Sequence, residues 1–525
     1  MSDKKKPNVI ILMTDDMGWG DPPSYGFDRG VKMPNFDRMA NEGMRFTDWY
    51  AEASCTPGRA AIQTGRLPIR SALTVALGPG SKNHLLPGSR TIAHGFKEGG
   101  YNTYFSGKWH LGDIEESYPT NHGYDEMKHF VAYYAGIYAY TNADLHPTFP
   151  RDNDKFMEAW NKVVNDGEWE GKAGEMATRV KEHFGYDDLG DIDARQTKSA
   201  IDYIKKHYQD DKPFFMDINF MKFHQPNNPS AEFKGKSKQG IYYDALMEVD
   251  HYIGKIMDTI RELGIAEDTI FLYTTDNGPW LDAAPDAGYT PFRGAKGTAY
   301  EGGFRVPAFI WAPGRIEAGS VENAIIAHQD IWATLAGLAG ITPPPNGAWE
   351  DLNGNPIYVD GYDQSDYLLR KTDKAPRKHF EYVLSTSLGA IRVGPWKFHF
   401  TLDDAWLGPK LELPYPAVYN LHMDPGETYE RFMGGAAPTT ANGALQNSQG
   451  RWLGGDTAWT VSLVGAILEP LNQTFRDFPN IPIVPGGSTI GADVPSFHAQ
   501  QVFGGEWPGA DGAHEAAKDM TLDKK

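Results

Sequence analysis

Apolar positions along this chain follow two rhythms, and the pattern changes once. Asn8-Val9-Ile10-Ile11-Leu12-Met13 is a short unbroken run that soon meets Asp15-Asp16, as expected of a strand buried on both faces. Tyr101 to Phe105, Phe214 to Asn219, Thr269 to Thr275 and Phe304 to Trp311 read as further short strands. Between them the spacing turns helical. Pro34 near a first turn predicts a helix over 34–43, and Ala200, Tyr203, Ile204, His207 and Tyr208 predict one over 196–208. Ala245, Val249, Ile253, Ile256, Ile260 and Leu263 form one stripe at steps of four and three, stopped by Gly264. Ile331, Leu335 and Leu338 mark another helix. Alternating strands and helices predict an α/β fold with a large, mostly parallel sheet sandwiched by helices.

After about residue 372 the pattern becomes antiparallel. His379 to Ser385, Gly389 to Arg392 and Trp396 to Leu402 read as successive strands, with Gly394-Pro395 as a turn. Residues 1–372 are therefore expected to form the main α/β domain, which would carry the site. Residues 373–525 are expected to be a smaller α+β domain with an antiparallel sheet and a long irregular tail rich in Pro and Gly. Residues 131–195, aromatic and charged with weak periodicity, are expected to be an insertion over the site.

Composition narrows the classes. The net charge of −19 repels nucleic acid and anionic membrane, so neither is an expected partner. It also means that an anionic substrate needs a local cluster of cations. No run approaches the length of a membrane span. The basic start meets only a short apolar run, so the chain as written reads as cytoplasmic; a removed signal peptide would make it periplasmic or secreted. The long tail leaves room for an oligomer. A single cysteine, Cys55, excludes an internal disulfide and a cysteine-based zinc site. Its default reading is a small buried hydrophobe.

The first strand delivers Asp15-Asp16 and the strand ending at Thr275 delivers Asp276-Asn277. Carboxyl ends of parallel strands form the ligand crevice. Adjacent carboxylates there repel unless a cation neutralises them. Three carboxylates and one amide oxygen are a hard, oxygen-only set suited to Ca²⁺ or Mg²⁺.

Around Cys55 the chain reads Ser54-Cys55-Thr56-Pro57-Gly58-Arg59-Ala60-Ala61-Ile62-Gln63-Thr64-Gly65-Arg66. This resembles the sulfatase signature, a Cys-x-Pro-x-Arg core followed by a Thr-Gly pair. Gly107-Lys108-Trp109-His110-Leu111-Gly112, Thr275-Asp276-Asn277-Gly278 and the lysine-bearing loop Phe292 to Gly303 resemble further blocks of that family in the same order. Phe223-His224-Gln225-Pro226 and Leu421-His422-Met423-Asp424-Pro425-Gly426-Glu427 resemble shorter ones. One departure is Gly58, where many members carry Ser.

The resemblance implies an alkaline phosphatase-like fold and a sulfuric ester hydrolase of the formylglycine-dependent, arylsulfatase-like type. A maturation enzyme would oxidise Cys55 to formylglycine. Its hydrate would offer one hydroxyl to sulfur, and the second would later expel sulfate and restore the aldehyde. A metal, Ca²⁺ or else Mg²⁺, would be held by Asp15, Asp16, Asp276 and Asn277 and would touch residue 55. Lys108 and Lys296 would hold sulfate oxygens, and Arg59 would stabilise the diol. His110 would be the base that collapses the second hydroxyl, and His224, also in contact with substrate, the acid for the leaving oxygen. The aromatic content favours an aryl sulfate as the small-molecule substrate. A phosphonate monoester hydrolase or phosphodiesterase of the same superfamily would share all these parts. A non-catalytic metal binder with unconverted Cys55 would share the metal set only.

Overall fold

A computed structural model describes residues 6–283, 285–403, 405–406, 408–431 and 460–484. Ten strands form the main sheet: β1 Asn8–Thr14, β2 Met44–Phe46, β3 Asn102–Lys108, β4 Glu126–Val131, β5 Glu168–Lys172, β6 Thr178–Lys181, β7 Phe214–Asn219, β8 Thr269–Thr275, β9 Ala308–Trp311 and β10 Ser320–Glu322. Their order is β10-β2-β9-β8-β1-β7-β3-β4-β5-β6. The central strands β8, β1, β7, β3 and β4 are parallel, while β9, β5 and β6 run against their neighbours. This is the expected α/β architecture.

Alternation within β1 explains the sandwich. Val9, Ile11 and Met13 enter one core with Phe96, Phe105 and Trp332. Ile10 and Leu12 enter the other, against the stripe of the long helix Ile241–Glu262, in which Val249, Ile253, Ile256 and Ile260 are fully buried. In register, Thr14 lies beside Thr275 and Met13 beside Asn219. The polar residues after β1 and β8 therefore leave the sheet side by side.

A separate antiparallel sheet comprises β11 His379–Leu384, β12 Ser387–Val393, β13 Trp396–Asp403 and β14 Lys410–Asn420. Two expectations needed correction. The segment Phe304 to Trp311 is not one strand: Glu301–Phe304 is a helical turn, Arg305 makes an isolated bridge to Tyr50, and pairing within the main sheet begins at Ala308, after Pro307, which has no N–H to donate. The irregular tail is interrupted by a helix over Val461–Asp477, where Val464 packs with Ile391, Phe398 and Val418. The rest of that tail lies outside the described residues. Segment 131–195 adds β5, β6 and the helix Asp154–Val163 at one edge of the main sheet. Among the described residues, no helix is long and apolar enough to cross a membrane.

Candidate active site

Cys55 opens the helix Cys55–Thr64 and is fully buried beside the carboxyl ends of β1 and β8. Its Sγ lies 3.1 Å from Lys296 Nζ and 3.5 Å from Asp15 Oδ1. Burial, reinforced by the Asp15 carboxylate, pushes the thiol well above its ordinary range despite Lys108 and Lys296. An unmodified Cys55 thus rests as a neutral thiol, a poor nucleophile.

One turn further along that helix, Arg59 is braced in every direction. Its Nε and Nη2 donate to Asp276 Oδ2 at 3.1 and 2.8 Å, and Nη2 also to Asp15 Oδ2 at 3.0 Å. Nη1 donates to the Lys108 carbonyl at 2.8 Å and to Asn219 Oδ1 at 3.2 Å. The guanidinium therefore braces two of the carboxylates that lie beside residue 55. Gly58 lets this helix approach: a Cβ there would come within 2.1 Å of the Asp276 carbonyl oxygen. The glycine in place of serine fits a contact that leaves no room for a side chain.

Lys108, at the end of β3, pairs with Asp15 Oδ2, and Lys296 Nζ pairs with Asp16 Oδ1 at 2.5 Å. Burial opposes the charge on Asp15, but Lys108, Arg59 and Lys296 outweigh it and hold the carboxyl well below its usual range. Asp16 is different: burial, with Asp15 and Asp276 nearby, raises it to about 7 against the pull of Lys296. His110 Nε2 lies 2.8 Å from the Leu77 carbonyl, which only accepts, so Nε2 carries the proton and Nδ1 is left as an acceptor without a partner. His224 Nδ1 donates to the Gln225 carbonyl at 2.6 Å, and its Nε2 is 3.9 Å from Asp16 Oδ2. Burial and the nearby cations push both imidazoles well below their usual value, so both rest neutral. The structure thus brings together all ten residues singled out in the sequence.

The donor set suits a hard divalent ion. Asp15, Asp16, Cys55 and Asp276 place one atom each within 4.8 Å of one another. Asp16 Oδ2 and Asn277 Oδ1 are buried acceptors with no hydrogen-bond partner, while Asn277 Nδ2 donates to Asp16 Oδ1 at 2.7 Å. Such orphaned oxygens are costly unless a cation or a donor meets them. Charge points the same way. Lys108, Lys296 and Arg59 only balance Asp15, Asp16 and Asp276, so net attraction for an anion requires the ion's own charge.

Several supporting residues escaped the sequence reading. Asp217 accepts from Gln63 Nε2 at 2.7 Å, Tyr124 Oη at 2.9 Å and Asn219 Nδ2 at 2.8 Å, fixing the amide that receives Arg59. Thr56 Oγ1 donates to the His110 carbonyl at 2.8 Å and accepts from Leu77 N, tying the Cys55 helix to the histidine loop. Lys222 sits between Asp193 and Glu248 at 3.2 and 3.3 Å, while its carbonyl receives Asp15 N. The Asp217-x-Asn219 pair at a strand end was the one signal available for these. Away from the pocket, Tyr25 donates to the Phe46 carbonyl and His94 completes the capping box of Thr91 at the start of the helix Ile92–Glu98, both structural roles.

Residues 7–341 match the family model described as Sulfatase. The chain belongs to the sulfatase family. It is 32% identical over 464 residues to N-acetylgalactosamine-6-sulfatase of Canis lupus familiaris, covering 81% of each chain. It is 34% identical over 461 residues to arylsulfatase of Hemicentrotus pulcherrimus, covering 81% of this chain and 77% of that one. The crystal structure of PsFucS1 sulfatase from Pseudoalteromonas sp. aligns with a TM-score of 0.79 at 29% identity, covering 91% of this chain and 92% of that one. This sulfatase is a sulfuric ester hydrolase, and its family works with a cysteine-derived formylglycine and a divalent metal.

Proposed function

We propose that this sulfatase hydrolyses small-molecule sulfate esters, aryl sulfates first, with formylglycine at position 55 and Ca²⁺, or else Mg²⁺, held by Asp15, Asp16, Asp276 and Asn277. The observation that carries this reading is the convergence on one buried atom: Cys55 Sγ has Lys296 at 3.1 Å and Asp15 at 3.5 Å, within a cluster that still has orphaned acceptors. When bound, the ion supplies Lewis acidity to oxygens of the ester and of residue 55. The hydrated formylglycine supplies the attacking hydroxyl, which a high-pKa thiol does not.

The chain's own groups do the rest. Lys108 and Lys296, held by Asp15 and Asp16, turn their remaining N–H donors to the sulfate oxygens. Arg59 keeps Asp15 and Asp276 aligned beneath residue 55. His110 accepts a proton at its free Nδ1, as the base for release of sulfate. His224 presents Nε2 to the leaving oxygen as the acid; burial and the lysine charges keep the imidazole neutral beforehand, and the anionic ester, by offsetting the lysines, favours the proton that Nε2 takes up and passes on. Because Cys55 is fully buried, the maturation enzyme must meet the chain before this core closes. Residues 1–372 form the catalytic unit in this reading and 373–525 the smaller one, with Tyr134 of segment 131–195 stacked on His224 at 5.1 Å.

The test compares turnover of an aryl sulfate, an aryl phosphate and an aryl phosphonate by protein matured in the presence of a formylglycine-generating enzyme. Preference for the sulfate is expected. Negligible sulfate turnover beside efficient phosphonate hydrolysis would overturn the proposal.

A further inference from the structure

The ammonium that touches Cys55 also lies between two indoles. Lys296 Nζ is 5.2 Å from the ring centroid of Trp280 and 5.1 Å from that of Trp406. The two rings meet edge to face at 5.8 Å. Trp280 continues the row to His224, at 5.3 Å, on which Tyr134 stacks. The rings come from distant parts of the chain. Trp280 follows the Asp276-Asn277-Gly278-Pro279 corner, and Trp406 lies in the β13–β14 connection of the second sheet. Trp406 N reaches Asp282 Oδ2 at 3.3 Å. Its ring can pack there only because residue 297 is glycine: a Cβ on Gly297 would come within 2.1 Å of Trp406 Cδ1.

Neither indole is sealed into the core; both are partly exposed, and the neighbouring Leu281 is 50% exposed. An apolar rim beside a cluster of buried charges needs a reason. The Trp280 Nε1–H adds one, since it is shielded from solvent and has no hydrogen-bond partner. The rim thus presents a flat apolar face beside Lys296, with an unpartnered indole N–H shielded beneath it.

We propose that Trp280 and Trp406 are specificity-determining residues that stack against the leaving group, and that they select an alcohol built on a ring. This deepens the sulfatase reading and rests on it. A phenol and a pyranose share the required chemistry, a flat apolar face with polar edges.

Trp280→Ala and Trp406→Ala are tested on 4-nitrophenyl sulfate, a hexopyranose 6-sulfate and acyclic ethyl sulfate, with Trp→Phe at each position as the conservative control. Loss of stacking should raise KM for ring sulfates about tenfold to a hundredfold, with a shift of less than about threefold for ethyl sulfate. The Phe variants should recover most of the loss. Whichever ring sulfate loses more identifies the ring that is selected. Equal losses on cyclic and acyclic esters would mean that the indoles only hold Lys296, and would overturn the proposal. Saturation-transfer NMR with 4-nitrophenol and a methyl hexopyranoside reads the clamp without turnover. A signal from at least one of them that fades in the Ala variants supports it, and no signal from either with the wild-type protein overturns it. Absent hydrolysis of every sulfate ester, with that signal intact, would count against the sulfatase reading alone.

Discussion

The Cys55 pocket and the junction between the two sheets contain the same ingredients in different states of completion. In the pocket, Asp15, Asp16 and Asp276 face Lys108, Lys296 and Arg59. At the junction, Asp48, Glu301 and Glu427 face Arg305, Arg392 and Lys397. There Lys397 Nζ is 2.9 Å from both Glu301 and Glu427, His399 Nε2 is 2.6 Å from Glu427, and Glu301 N donates to Glu427 at 2.7 Å. Tyr382 donates to the same Glu301 Oε1 that Lys397 holds, and Tyr50 donates to Oε2 at 2.6 Å. Among the described residues, no buried side-chain nitrogen or oxygen of these junction residues lacks a hydrogen-bond partner, whereas the pocket leaves Asp16 Oδ2, Asn277 Oδ1 and His110 Nδ1 without one. A reciprocated ion cluster holds two sheets together. An unreciprocated one of equal charge count is prepared for something that arrives.

Paired lysine substitutions separate the two clusters most sharply. Lys296→Met should lower kcat/KM for a sulfate ester by at least about a hundredfold, by removing a donor aimed at developing charge. Lys397→Met should instead destabilise the fold by about 3–5 kcal/mol, because it strands two buried carboxylates. Hydrolysis rates and urea unfolding of both variants check this, and similar profiles would erase the distinction. Metal removal comes next. Chelation should lower the thermal midpoint, and Ca²⁺ at a thousandfold excess over its Kd should restore about 4 kcal/mol. Asp276→Asn should weaken that response and Glu427→Gln should keep it, as followed by differential scanning fluorimetry.

Gly58→Ser is a smaller perturbation. The added side chain meets the Asp276 carbonyl, so a loss of about 1–3 kcal/mol is expected, together with weaker metal binding in calorimetry. Smallest is an acid effect at the junction. Burial would raise Glu301, but Lys397, Arg305 and Arg392 hold it well below its usual 4.5. Its contribution is therefore complete above about pH 4.5 and is lost as the pH falls below that value. Stability measured down an acid series should decline there, and Glu301→Gln should flatten the decline.

The metal set was legible in the sequence because parallel strands end in polar pairs, and Asp15-Asp16 and Asp276-Asn277 carry that mark; Cys55, Arg59, Lys108, His110, His224 and Lys296 were legible through the resemblance to the sulfatase blocks. The stripe from Ala245 to Ile260 likewise announced its helix. The junction was not legible. Glu427 was visible only as part of a resemblance, and its partners Glu301, Lys397 and His399 come from three other segments with no shared spacing. The edges of the main sheet were missed for a similar reason: Met44–Phe46 and Ser320–Glu322 are three residues each, too short for a periodic signal. The Val461–Asp477 helix was hidden by Pro470 within it and by the Pro- and Gly-rich stretches around it.

The most direct test of the account is mass spectrometry of the peptide containing Cys55, taken from protein produced with a maturation enzyme and assayed in parallel on an aryl sulfate. The account predicts the mass of the aldehyde or its hydrate, with turnover proportional to the converted fraction. Full turnover by protein whose Cys55 remains an intact thiol would contradict it.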